Sequence, residues 1–161
     1  MNDYELIRRR EVQTAVNTFE LPDNAGIRMT QRILVLEDDV TLAGMLKDAL
    51  KAQHLLVTVV SNGAEGLKHI LTEDFNIILC DMVMPNFPGD MFYRAVERAR
   101  PHLCKRFIFM TGHHGDRKIE QFIRGIRGLI LWKPFQMHVL FEAIQAVNSK
   151  QPATQKPSKA P

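Results

Sequence analysis

The sequence predicts a doubly wound α/β domain, in which a five-stranded parallel sheet is covered by five helices. Five short runs rich in Val, Ile and Leu are almost unbroken by polar residues, as is typical of strands buried on both faces of a parallel sheet. Segments whose apolar residues recur with a helical period lie between and after these runs. The runs cover residues 33–36, 55–60, 77–80, 107–110 and 129–132.

Each predicted strand is followed by one predicted helix. In chain order, the apolar positions of the helices are Leu42, Met45, Leu46, Ala49 and Leu50; Ala64, Leu67, Ile70 and Leu71; Phe92, Ala95, Val96 and Ala99; Ile119, Phe122, Ile123 and Ile126; and Leu140, Ala143, Ile144 and Val147. Asn62 and Glu65 resemble a capping box at the start of the second helix. Strands that alternate with helices imply right-handed crossovers and one open sheet.

The chain of 161 residues has the length of one ordinary domain. Hydrophobic residues make up 45% and charged residues 24%, which excludes wholesale disorder and a coiled-coil rod. We expect the folded domain over residues 31–148. Residues 1–30 form an N-terminal extension with an incomplete helical pattern and a linker, and residues 149–161, rich in Pro and Lys, are expected to be a disordered tail.

Charge and cysteine content indicate a cytoplasmic protein without a membrane span. No apolar run reaches the roughly 18 residues that cross a bilayer, and charged residues interrupt the first twenty positions. Cys80 and Cys104 fit neither a disulfide framework nor a zinc site, so we expect both to be reduced and buried. The net charge of +3 leaves nucleic-acid binding open as an alternative. Because the basic residues are scattered, a solvated surface without direct nucleic-acid binding is the favoured interpretation.

Polar residues follow four of the five predicted strands. In an open α/β sheet, ligands bind outside the carboxyl ends of the strands. Each of these residues taken alone could simply cap a helix. Together, three carboxylates, one hydroxyl and one ammonium at a single edge predict a functional site. The residues are Glu37 and Asp38 after the first run, Asp81 after the third, Thr111 after the fourth and Lys133 after the fifth.

The charges of this predicted site favour a divalent cation. Glu37, Asp38 and Asp81 bring three negative charges, and Lys133 offsets one of them. Oxygen ligands without His or Cys select a hard ion, and Mg²⁺ is the natural candidate. The first βα turn lacks a glycine-rich phosphate loop, which disfavours a nucleotide or flavin cofactor of the Rossmann or flavodoxin kind.

These residues resemble the receiver domain of bacterial response regulators, which act in two-component signal transduction. Residues 33–39, ILVLEDD, are similar to that family's first strand and acidic pair, and residues 81–89, DMVMPNFPG, to its phosphoacceptor loop. Thr111 and the Lys-Pro-Phe run at residues 133–135 complete the resemblance, which spans about residues 31–147. It implies the flavodoxin-like strand order 2-1-3-4-5.

The resemblance implies a role for each site residue. Asp81 is the phosphoacceptor and also a metal ligand, so the chain is a phosphoprotein. Asp38 binds Mg²⁺ directly, and Glu37 binds it directly or through water. The backbone carbonyl of Val83 is a further Mg²⁺ ligand. Thr111 and Lys133 are the catalytic residues that contact the phosphoryl oxygens, and Asp39 is expected to cap the first helix.

The resemblance also implies a phosphorylation-dependent switch rather than an enzyme with its own substrate. A sensor histidine kinase or a histidine phosphotransfer protein is the expected phosphodonor, and an unidentified downstream protein is the expected reader. Whether the chain forms a homodimer is left open. Thr111 and Ile130 are the expected switch residues, although Ile130 stands where the family often has an aromatic ring. His113 and His114 are expected to line the mouth of the site.

Two other functions compete with this interpretation. A phosphotransferring hydrolase of the haloacid-dehalogenase type would use Asp81 as its nucleophile. Such enzymes usually carry a second Asp two residues later, where this chain has Val83. A receiver-like binding module that no longer accepts phosphate is the third alternative, and the intact set of polar residues at the strand ends disfavours it.

Overall fold

The computed structural model describes residues 30–150. The expectations for the N-terminal extension up to residue 29, and for the tail from residue 151, lie outside the described residues. The last helix ends at Ser149, one residue into the predicted tail, and the Lys150 N–H donates to the carbonyl of Val147. The side chain of Asn148 also donates to the side chain of Gln31. Polar residues at the end of the last helix therefore belong to the folded domain, although they do not contribute to its hydrophobic pattern.

Over residues 30–150, one sheet of five parallel strands has the order β2-β1-β3-β4-β5, which confirms the predicted fold class. The sheet register pairs Leu36 of β1 with Cys80 of β3. It also pairs Asp81 with Met110 of β4, and Thr111 with Trp132 of β5. The strands are β1 (Arg32–Leu36), β2 (Leu56–Val60), β3 (Ile77–Asp81), β4 (Phe107–Thr111) and β5 (Leu129–Trp132).

Within the part of the chain that the structure describes, five α-helices connect or follow the strands, as predicted. They are α1 (Val40–Ala52), α2 (Gly63–Thr72), α3 (Gly89–Ala99), α4 (Arg117–Gly125) and α5 (Met137–Ser149), and a short 3₁₀ helix, Pro101–Arg106, precedes β4. Asp39 caps α1 by accepting from the N–H groups of Thr41 and Leu42, which confirms its predicted role. Asn62 caps α2 by accepting from the Glu65 N–H, but the Glu65 carboxylate accepts from Ser61, so the capping box is shifted by one residue.

The two faces of the sheet carry separate cores, because successive strand residues point to opposite faces. Leu34 and Leu36 pack with residues of α2 and α3 on one face. Ile33 and Val35 pack with α1 and α5 on the other. Both cysteines are buried and free, as expected. Over residues 30–150, each helix is too short or too polar to cross a membrane.

Helix α4 is packed less tightly than the other helices. None of the residues Arg117–Gly125, all of which the structure describes, is fully buried. Its apolar residues Ile119, Phe122 and Ile123 are only partly buried against the core that it shares with α2 and α3. Helix α4 therefore gains less from burial than its neighbours, so its local opening should cost less free energy.

Candidate functional site

The candidate site lies at the carboxyl edge of the sheet, where β1, β3, β4 and β5 end side by side. Strand β2 lies at the outer edge of the sheet, and the sequence places no acidic or basic residue at its end. The strand order thus brings together residues that are up to 96 positions apart in the chain. The five polar residues predicted at the strand ends all lie at this edge.

Lys133 joins two carboxylates that come from different strands. Its Nζ atom lies 2.9 Å from Glu37 Oε2 and 2.9 Å from Asp81 Oδ2. Glu37 and Asp81 are nearly inaccessible to solvent, at 2% and 6% exposure. Ions removed from water in this way need close partners of opposite charge. The sequence predicted that Lys133 would reach Asp81, but not its hydrogen bond to Glu37.

The pKa values of Glu37 and Lys133 reflect this shared ammonium. Burial raises the pKa of Glu37 above its usual value; the hydrogen bond from Lys133 opposes that rise, and the charge of Asp81 adds to it. Burial alone would lower the pKa of Lys133. Its hydrogen bonds to Glu37 and Asp81 outweigh burial, so the pKa of Lys133 is raised and the ammonium stays charged at neutral pH.

Three carboxylates at the site could hold a metal ion. One oxygen from each of Glu37, Asp38 and Asp81 lies within 4.8 Å of the other two. Asp38 is exposed, whereas Glu37 and Asp81 are buried. After the charge of Lys133 is counted, two negative charges remain. This donor set fits a hard divalent cation such as Mg²⁺, because it consists of oxygen atoms only and keeps one side open to water.

The loop after β3 packs closely around Asp81. The N–H of Val83 donates to Asp81 Oδ1 at 3.1 Å, and Val83 is 45% exposed. The loop returns to the strand where the Gly89 N–H donates to the carbonyl of Met82. A Cβ atom at Gly89 would lie 2.5 Å from the main-chain oxygen of Asp81, so only glycine fits there without a shift.

Thr111 and the residues after it form the other wall of the site. Thr111 is buried, and its hydroxyl oxygen accepts from the N–H of His113 at 3.2 Å. Its carbonyl accepts from the Lys133 N–H at 2.8 Å, and the Lys133–Pro134 peptide bond is cis. His113 and His114 are exposed beside the site, as expected.

His114, which was expected to line the mouth of the site, is in contact with Trp132, the last residue of β5. The His114 ring stacks on the Trp132 ring, with centroids 4.2 Å apart and planes 20° apart. Ile130, predicted as a switch residue, is 5% exposed and lies in the core shared with α3. The sequence gives little indication of this stack, because the two residues are 18 positions apart. The sheet register places Trp132 beside Thr111, and the loop after Thr111 then brings His114 onto it.

Comparison with known proteins identifies the family. The family model for the response regulator receiver domain matches residues 33–145. The chain therefore belongs to the response regulator receiver domain family of two-component signalling, as the resemblance in the sequence indicated. Together, the family and the strand order confirm a CheY-like receiver fold.

Several curated relatives are similar over most of this chain. A probable chemotaxis protein CheY from Rhizobium etli is 29% identical over 118 residues, which cover 72% of this chain and 91% of that protein. The response regulator receiver protein CpdR from Brucella abortus is 30% identical over 71% of this chain and 94% of its own length. The response regulator ArlR from Staphylococcus haemolyticus is 30% identical, but the match covers only 53% of that longer protein.

Solved structures agree on the fold. The receiver domain of sensor histidine kinase PA1611 from Pseudomonas aeruginosa PAO1, which has a magnesium ion coordinated in its active site cleft, matches 75% of this chain and 99% of its own with a TM-score of 0.69 and 21% identity. A CheY-like receiver domain protein from Methanospirillum hungatei matches 76% of this chain and 99% of its own, with a TM-score of 0.65 and 22% identity. At these identities the likeness supports the fold alone.

Proposed function

We propose that this chain is a phosphorylation-dependent switch that accepts a phosphoryl group on Asp81. The observation that carries the proposal is that the Asp81 carboxylate lies 2.9 Å from Lys133 Nζ and within 4.8 Å of the carboxylates of Glu37 and Asp38. A phosphoryl group on Asp81 would thus meet one fixed cation and one predicted metal site. Phosphoryl transfer depends mainly on such placement and charge stabilisation.

The proposed donor is a phosphohistidine of a sensor histidine kinase or of a histidine phosphotransfer protein. A carboxylate oxygen of Asp81 forms the new bond to phosphorus, the P–N bond of the donor breaks, and its electron pair returns to the imidazole nitrogen. Lys133 then neutralises one phosphoryl oxygen, and the Thr111 hydroxyl donates to another. Asp81 is 6% exposed, so little water competes for these contacts.

Mg²⁺ is the proposed cofactor. Asp38, Asp81, the backbone carbonyl of Val83 and Glu37, the last directly or through water, would hold it. When bound, Mg²⁺ supplies positive charge that offsets the negative charge of the transferring phosphoryl group. The two uncompensated negative charges of the carboxylate cluster support this assignment.

The proposed output is a change in protein binding. Thr111 and Ile130 are the proposed switch residues, and the surface around α4, β5 and α5 is the proposed reading site for the unidentified downstream partner. Helix α4 supports the choice of this surface, because it has no fully buried residue and should therefore change conformation more easily than the other helices. No direct nucleic-acid or membrane contact is part of the proposal. The two buried free cysteines agree with a cytoplasmic location.

The hydrolase alternative would need an acid or base two residues after Asp81. That residue is Val83, whose apolar side chain can neither donate nor accept a proton. The binding-module alternative would leave Lys133, Glu37 and Asp81 as a purely structural ion cluster. Neither alternative is favoured by a specific feature of the site.

One labelling experiment separates the three functions. Purified protein is incubated with Mg²⁺ and acetyl phosphate, and both the phosphoryl group on the protein and the free phosphate are followed over time. A switch takes up one phosphoryl group and keeps it. A hydrolase releases phosphate rapidly and continuously without a stable adduct, and a binding module does neither. Omission of Mg²⁺ should abolish the uptake.

A further inference from the structure

The stack of His114 on Trp132 involves chain neighbours of the two residues proposed to hold the phosphoryl oxygens, Thr111 and Lys133. Trp132 directly precedes Lys133 and pairs with Thr111 in the sheet register. His114 belongs to the loop that directly follows Thr111. The ring centroids are 4.2 Å apart and the planes are 20° apart, which is a normal stacking geometry for two aromatic rings.

The same loop holds the hydroxyl oxygen of Thr111. That oxygen accepts from the His113 N–H at 3.2 Å, and the next N–H, of His114, donates to the Gly112 carbonyl at 3.1 Å. Gly115 has a φ of +81°, a backbone conformation that favours glycine and lets the chain turn towards α4. The loop is thus folded back, with its main chain on Thr111 and the ring of His114 on Trp132.

Ile130 does not provide an aromatic ring at this surface. It is 5% exposed and lies two residues before Trp132, so both side chains leave β5 on the same face. Trp132 is only partly buried and lies nearer the site. The aromatic side chain that contacts the loop after Thr111 is therefore Trp132.

We infer that His114 and Trp132 are positioning residues for Thr111. The stack holds the loop in the conformation in which the Thr111 oxygen accepts from His113, and the stack opens when Thr111 turns its hydroxyl towards a phosphoryl group on Asp81. This inference rests on the proposed phosphorylation of Asp81 and adds the element that responds to it.

The sheet makes the two movements depend on each other. Thr111 and Trp132 are adjacent strand residues, and the Lys133 N–H donates to the Thr111 carbonyl at 2.8 Å, so the strand backbones cannot separate easily. When the Thr111 oxygen leaves the His113 N–H, the loop loses the bond that fixes its first turn. Because Trp132 stays in the sheet, the ring of His114 must shift across it.

Fluorescence of Trp132 tests this inference directly, because it is the only tryptophan among the 161 residues. A stacked imidazole quenches indole emission, so opening of the stack should raise the emission. Wild-type protein is treated with Mg²⁺ and acetyl phosphate while intact mass reports the phosphoryl group. We expect the emission to rise together with the mass gain.

His114→Ala is the decisive variant, and His113→Ala is its matched control. Both residues are exposed, but only His114 stacks on Trp132. We expect the unmodified His114→Ala protein to be brighter than wild type, and its emission to change little while it still gains the phosphoryl group. His113→Ala keeps the backbone N–H and should respond as wild type does. We also expect uptake to be faster in His114→Ala, because the loop releases Thr111 more readily.

Three results would overturn the inference. His114→Ala could match wild type in emission before and after phosphorylation, or wild type could gain the phosphoryl group with no change in emission. Either result leaves the proposed function intact, since intact mass measures phosphorylation separately. If the wild-type protein gains no phosphoryl group at all, the proposed function fails, and the role of the stack fails with it.

Discussion

Lys133 Nζ lies 2.9 Å from Asp81 Oδ2, although the strand β4 separates their two strands. The same ammonium lies 2.9 Å from Glu37 Oε2, so a single cation is shared between two buried carboxylates. A phosphoryl group on Asp81 would replace one negative charge with about two and compete with Glu37 for this ammonium. The ion cluster therefore links phosphorylation to a change in the contacts of Lys133.

Mg²⁺ binding should depend on pH through Glu37. Burial raises the pKa of Glu37 in the folded chain, so the ionised form is less favoured there than in the unfolded chain. The contribution of Glu37 to stability is therefore largest below its unfolded pKa and is lost as the pH rises through its folded pKa. Mg²⁺ needs the ionised form, so the Mg²⁺-dependent rise in melting temperature should grow over the same range.

Thermal unfolding with and without Mg²⁺, from about pH 4 to about pH 8, measures this dependence. We expect Glu37→Gln to bind Mg²⁺ roughly 10- to 100-fold more weakly and to lose the part of the pH dependence that comes from Glu37. Glu97→Gln, an exposed change on α3, is the control and should match wild type. A Mg²⁺ effect that is equal across the whole range in wild type would contradict this prediction.

The phosphorylated state should last on the order of minutes to hours without a phosphatase, because the apolar side chain of Val83 cannot orient an attacking water. Val83 is 45% exposed, and its N–H donates to Asp81. Val83→Asn should shorten the lifetime several-fold, whereas Val83→Leu should not. Decay of a radiolabel in purified protein measures it, and His113→Ala shows whether that imidazole positions water instead. Decay within seconds in wild type would refute the argument from Val83.

Gly89→Ala should destabilise the domain by about 1–3 kcal/mol and slow phosphoryl uptake. The added Cβ would lie 2.5 Å from the Asp81 carbonyl oxygen and 3.0 Å from the Cα of Met82, so the loop that holds Asp81 must shift. Gly44→Ala in α1 is the matched control, because apart from its chain neighbours and the backbone of its own helix, no described atom lies within 4 Å of its added Cβ. That change should stabilise the protein by about 0.5–1 kcal/mol. Urea unfolding of both variants checks the difference in sign.

The sequence was sufficient to predict the sheet and the strand ends. Runs of apolar residues reveal buried strands directly, and the residues Asp81 and Thr111 follow from where those runs end. The extent of α5 was less clear, since Asn148 and Ser149 are polar and are held in place by the helix backbone and by Gln31. A hydrophobic pattern contains no such information.

Two contacts between side chains of distant elements could not be predicted from the sequence. The bond of Lys133 to Glu37 depends on the reach of a flexible side chain across two strands. The stack of His114 on Trp132 depends on the conformation of a loop with two glycines, and neither residue lies in a periodic pattern. The sequence alone therefore predicted which residues lie at the carboxyl edge of the sheet, but not all of the side-chain contacts that they make there.

Phosphorylation should change hydrogen exchange over residues 111–126 and 129–135, but not over α1 or α2. Local opening of helix α4 should cost less free energy than opening of the other helices, because none of its residues is fully buried. Exchange with and without beryllofluoride and Mg²⁺ measures the effect. Unchanged hydrogen exchange in α4 together with altered exchange in α1 would contradict this prediction. It would mean that phosphorylation changes a different surface of the domain.

The central claim is that Asp81 alone accepts the phosphoryl group and that uptake needs Mg²⁺. Intact-mass measurement after treatment with acetyl phosphate tests it on wild type, Asp81→Asn and Asp39→Asn. Asp39→Asn is the matched control, because Asn caps a helix about as well as Asp and the residue is exposed. We predict a gain of one phosphoryl group in wild type and Asp39→Asn, and none in Asp81→Asn or when EDTA is present. A phosphoryl group on Asp81→Asn, or uptake unaffected by EDTA, would contradict the account.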